Sequence, residues 1–183
     1  SQLGGMYAEK IHLVDNGQGL GVRNAGHIGA SAGSVKIDSQ GKIVNEGVIN
    51  GVDNIHLHTA VATNTGKIES KQGQIDLNAK SITQDGSVIA RKGNVSLKGD
   101  VVRQKGETVA KGRVDYDAKS IVADKTAFIA AGVNITEDKG KVVRTLDAAH
   151  VAGRGITLKG DNSVTIHGKQ VASGNIAVQG GVL

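Results

Sequence analysis

His56 and His58 alternate with Ile55 and Leu57. On an extended strand that spacing puts two imidazoles on one face, where they can bind a metal weakly. No third ligand lies nearby in sequence, although Asp76 and Lys36 fall in register with His56 if the chain stacks on itself. Asp115 and Asp117 flank Tyr116 in the same way. Paired carboxylates hold calcium or work as acid and base. The densest positive run is Arg91, Lys92, Arg103, Lys105, Lys111 and Arg113, a candidate face for an anionic ligand such as an acidic glycan. Gly17-Gln-Gly-Leu-Gly21 invites a phosphate-loop reading, but no Gly-Lys-Ser/Thr follows and no helix is signalled after it. Its glycines read as corner residues. Against each of these stands a plainer interpretation, a solvated β surface of mixed charge that resists edge pairing.

What positions these residues is a repeat. An apolar-x-apolar pair returns about every twenty residues. The series runs Val35/Ile37, Ile55/Leu57, Ile75/Leu77, Val95/Leu97, Val114/Tyr116, Val133/Ile135, Ile156/Leu158 and Ile176/Val178, with Ile11/Leu13 ahead of it. Within each pair the period is that of a strand, not a helix. Three units show the pattern plainly, opening at Gly66, Gly86 and Gly106. Each gives a short strand, a corner glycine (Gly73, Gly93 or Gly112), a second strand, and a third apolar site at Ile82, Val102 or Ile121. Units of this kind bury their apolar faces only against neighbours. The expectation is an all-β, right-handed parallel β-helix of about 20 residues and three short strands per coil, in roughly nine coils.

Composition agrees. The 183 residues contain 27 glycines, no proline, cysteine or tryptophan, and only Tyr7, Tyr116 and Phe128 as aromatics. A narrow, uniform interior is filled by stacked aliphatics, and the glycines are read as corner residues with positive φ. Without cysteine there is no disulfide framework and no thiolate metal site. Lacking both cysteine and proline suits a chain that crosses a membrane unfolded and folds outside. No apolar run is long enough for a membrane span. The start, Ser1-Gln-Leu-Gly-Gly5, has no signal-peptide pattern, so the expectation is a segment of a longer polypeptide or a processed product. Net charge is +5. No basic cluster comes with the aromatics that stack bases, so nucleic acid is not an expected partner. Two stretches break the register, 14–34 and 137–154. Asp138-Lys-Gly-Lys141 reads as a polar turn in a loop bulging from the rod, and the run from Leu146 to Val151 as a strand or a short helix.

Leu3-Gly-Gly-Met-Tyr-Ala8, Ile11-His-Leu13 and Gly19-Leu-Gly-Val-Arg-Asn-Ala-Gly26-His-Ile-Gly-Ala30 resemble the end of the haemagglutination-activity region of two-partner secretion exoproteins. Residues 35–183 resemble filamentous-haemagglutinin repeats, so the likeness covers a single β-helix over 1–183. The resemblance implies a right-handed parallel β-helix that leaves the cell through an outer-membrane β-barrel partner and forms a fibre on the bacterial surface. Some such exoproteins are adhesins. Others, of the contact-dependent growth-inhibition type, present a receptor-binding region and a terminal toxin. The Asn-Pro-rich secretion motifs of the family are missing from this chain, as is any recognisable toxin.

The expectation is therefore a non-catalytic shaft, without cofactor or metal, that presents distal modules to a receptor or glycan on a target cell. Its exposed end coils are expected to associate end to end. The rival expectation is a carbohydrate-active β-helix enzyme acting on acidic polysaccharide, which requires a groove with converging carboxylates.

Overall fold

A computed structural model describes residues 2–17, 21–146 and 153–180. The chain winds as a parallel β-solenoid, and every inter-coil pairing is parallel. Its first face stacks β2 (Ile11–Asp15), β4 (Val35–Ser39), β11 (Val95–Lys98) and β20 (Ile176–Gly180) with the leading halves of β7 (Ile55–Asn64), β9 (Ile75–Gln84), β14 (Val114–Ala123) and β18 (Ile156–Ile166). The trailing halves of those four long strands turn the corner. They form the second face with β5 (Lys42–Asn45), β12 (Val101–Gln104) and the start of β3 (Gly21–Ala30). The third face holds β1 (Gln2–Ala8), the rest of β3, β6 (Val48–Gly51), β8 (Lys67–Ser70), β10 (Ser87–Ala90), β13 (Glu107–Ala110), β15 (Phe128–Ala131) and β19 (Lys169–Ala172).

Register is kept by identity of position. Ile11, Val35, Ile55, Ile75, Val95, Val114, Ile156 and Ile176 form one inward column, so the first face has eight levels. Because strand side chains alternate, a slip of one residue would turn this whole column to water. The next inward column runs Leu57, Leu77, Leu97, Tyr116 and Leu158. Tyr116 brings a hydroxyl into that apolar stack. Thr108 on the third face supplies an acceptor at 2.7 Å, and Gln104 a second. Burial pushes the Tyr116 phenol well above its ordinary range.

At the corner between the second and third faces, buried amides stack into a ladder. Asn24 donates to Asn45 at 2.9 Å, Asn45 to Asn64 at 2.8 Å, and Asn64 to Gln84 at 2.9 Å. Each buried amide thus finds its partner one coil away, as an interior polar group must. Two residues on from Asn45, Asn64, Gln84 and Gln104 stand Gly47, Gly66, Gly86 and Gly106. The expectation of positive φ at the Gly86 corner is corrected here. Among the described glycines, positive φ belongs to Gly132, Gly140, Gly153 and Gly168. Gly86 is required because a Cβ there would lie 2.1 Å from the Gly66 carbonyl oxygen; it is a close-approach glycine.

The pair Val133/Ile135 is not a coil of the rod. After β15 the chain leaves the stack at Gly132 and forms β16 (Val133–Asp138), a turn, and β17 (Lys141–Leu146), an antiparallel hairpin. Lys139 and Gly140 both have positive φ, the mark of a type I′ turn, at the place where the sequence signals a polar turn. Meanwhile β14 pairs directly with β18, Val114 on Ile156, with one register shift between Ala118 and Ser120. The rod therefore has eight levels rather than nine. The run Leu146–Val151 begins at the end of β17, and its remainder lies outside the described residues, as do Gln18, Gly19 and Leu20 of the glycine-rich loop. No described helix is long and apolar enough to cross a membrane.

Candidate functional site: the hairpin-bearing face

On the third face the outward column changes character along the rod. Asn50 and Glu69 are followed by Ile89, Val109, Ala130 and Val171. Apolar groups facing outward need a cover. The hairpin provides it. Val133 and Ile135 pack on Ile89, Val109 and Ala130, with Phe128 and Val171 at the margin, as a second small core outside the rod.

Ion pairs rim this core. Arg91 donates to Glu137 at 2.6 Å and lies 3.2 Å from Glu69, its side chain only 17 % exposed. The hydrogen bond to Glu137 outweighs partial burial and holds the Arg91 guanidinium above its ordinary value, and the same bond holds Glu137 below. Arg144 grips Glu107 with both terminal nitrogens, at 2.6 Å to Oε1. Burial pushes the Glu107 carboxyl up. The Arg144 bonds and charge, with Ser87, pull it further down, so the net shift is downward. Lys111 donates to Asn134 at the base of the hairpin. Between hairpin and rod lies a cavity of about 340 Å³ lined by Ser31, Asn50, Glu69, Lys71, Arg91 and Glu137. The arrangement docks the hairpin on the rod.

The six basic residues are split by the fold. Arg91 and Lys111 stack in one column at the end of the third face, since β10 and β13 pair residue for residue up to Ala90 and Ala110. Lys92 and Arg113 occupy the corner that follows, where Arg113 lies 3.5 Å from Asp115. Arg103 and Lys105 are elsewhere, on the second face and its corner.

His56 stacks between Lys36 and Asp76, the register expected from the repeat. His58 Nδ1 lies 3.5 Å from Asp38, and His12 Nε2 lies 3.4 Å from the same carboxylate. His58 and Asp38 line a groove of about 480 Å³ with Asp15, Asn78 and Lys80. No group of three metal-ligating side chains converges among the described residues. Asp115 sits between Ser96 and Thr157, and Asp117 between Lys98 and Lys159.

Neither a protein-family model nor a solved structure matches the sequence. Curated relatives do. A "Toxin CdiA" of Yersinia pestis is 48% identical over 59 residues, 32% of this chain and 2% of that protein. A "tRNA nuclease CdiA-2" of Burkholderia pseudomallei is 48% identical over 50 residues, 27% of this chain and 2% of that protein. Over nearly the whole chain, 99% of it, a "16S rRNA endonuclease CdiA" of Enterobacter cloacae is 24% identical across 181 residues, 5% of its own length. Its homologues are CdiA contact-dependent growth-inhibition proteins. They are two-partner secretion exoproteins of the filamentous-haemagglutinin type, secreted and displayed on the bacterial outer surface. The chain spans only 2–5% of the length of these CdiA relatives. The nuclease names describe the relatives as wholes. A β-solenoid similar to CdiA fits a shaft or toxin-presenting segment.

Proposed function

We propose that this chain is a non-catalytic length of shaft in a secreted, surface-displayed β-helical filament. It holds a receptor-binding or toxic module away from the producing cell, after export through an outer-membrane β-barrel partner. In this reading residues 1–34 close a haemagglutination-activity region and 35–183 begin the repeats. The observation that carries it is the direct parallel stacking of β14 on β18 across the hairpin insertion, along both faces with one register shift between Ala118 and Ser120. A shaft tolerates decoration provided the ladder continues, because each coil is stabilised only by its neighbours.

The test is a coil deletion in the parent protein. Removing residues 66–85 joins Thr65 to Gly86, which occupies the same corner position as Gly66. Surface display and inhibition of target cells should survive, whereas a ten-residue deletion from the same region should abolish display. Loss of target inhibition with display intact after the in-register deletion would contradict the shaft reading. For the nuclease named in two relatives, we propose that the activity lies outside this segment. Cleavage of tRNA by the isolated chain would overturn that.

A further inference from the structure

A groove of about 510 Å³ runs along the corner between the second and third faces. Two parallel columns wall it. Thr83, Arg103, Val122 and Thr165 are in register on β9, β12, β14 and β18. Asp85, Lys105, Asp124 and His167 form the other column, each backbone N–H bonded to the preceding coil at 2.8–3.1 Å. Equivalent positions repeat about every 4.8 Å along the axis.

The arginines differ in what they meet. Arg23, Arg91, Arg113 and Arg144 each close on a carboxylate of the protein. Arg103 is exposed and meets none among the described residues, and Lys105 beside it is likewise exposed and without an ion pair. A guanidinium with its donor fork facing a groove suits a planar carboxylate. Asp85 and Asp124 accept hydrogen bonds from hydroxyls. Val122, 39% exposed, supplies an apolar floor, and no Phe, Tyr or Trp ring lines the groove.

We propose that this groove binds an acidic oligosaccharide. A uronate carboxylate sits on Arg103 and Lys105, ring hydroxyls bond to Asp85, Asp124, Thr83 and Thr165, and a C–H face rests on Val122. The basic strip read from the sequence thus acts through two of its six members. The inference goes beyond the shaft reading and does not depend on it, since a bare shaft needs no such groove.

The experiment titrates the chain with oligogalacturonate and with its fully methyl-esterified form, by calorimetry at low and high salt. Binding of the acid form, at least tenfold weaker at high salt, with none of the ester, is expected. Arg103→Ala with Lys105→Ala should weaken binding at least tenfold with the melting temperature unchanged. Lys92→Ala with Arg113→Ala, on the opposite corner, should leave it unchanged. Absence of binding by the wild-type chain overturns the proposal. So does equal weakening by both double variants, which is diffuse attraction, and so does equal binding of the ester, which removes the carboxylate's role.

Discussion

Ile75 and Ile135 are both buried isoleucines, covered by different things. Ile75 is sealed in the rod between Ile55 and Val95, with nothing exposed. Ile135 is 8% exposed and lies outside the rod, under its own hairpin against Ile89 and Val109. The first burial is periodic, enforced by a residue of the same kind on the coils above and below. The second is local, made by a few side chains and a rim of ion pairs. The interior should therefore fail globally and the hairpin locally.

The largest effect is expected from Ile75→Asp. A lone carboxylate with no partner in that column costs on the order of 4 kcal/mol or more, and the melting temperature of the whole rod should fall. Gly86→Val should cost about 3 kcal/mol, since the added carbon meets the Gly66 carbonyl. That loss too should appear in global melting. Ile135→Ala should cost about 2 kcal/mol. Its signature is different: amide exchange should accelerate in β16 and β17 while β14 and β18 stay protected.

Acid gives the smallest effect, about 1 kcal/mol. Glu107 has its folded-state pKa depressed, chiefly by Arg144 acting against burial. Its contribution is therefore fully present above its unfolded value and is lost as pH falls through the depressed folded value. Hairpin amides should lose protection in that window before the rod melts. Simultaneous loss in both regions would erase the distinction between them.

The same contrast explains what could be read from the chain. The rod was legible because two periods coincide, two residues along a strand and about twenty along the axis. Val133-Asn-Ile135 carried the identical apolar-x-apolar pattern, 19 residues after Val114, and so passed for a coil. The signal that could have exposed it lay elsewhere. Ile89 and Val109 are apolar at positions where Asn50 and Glu69 stand in earlier coils, an outward column asking for a cover. The amide ladder was also present as Asn or Gln two residues before glycine, at Asn24, Asn45, Asn64, Gln84 and Gln104. Its meaning appears only when the coils are stacked. The basic strip was adjacent in sequence, but a three-sided coil sends neighbours around a corner to different faces.

The central claim is one coil per level, with the hairpin adding none. The chain has no cysteine, so Lys36→Cys with Thr157→Cys gives two spin-label sites and no others. Both positions lie in one outward column, with His56, Asp76, Ser96 and Asp115 between them. Five steps place their backbones about 24 Å apart. A narrow electron–electron distance distribution consistent with that spacing is the expected result. A distribution longer by a further level, or one too broad for a fixed rod, would contradict it.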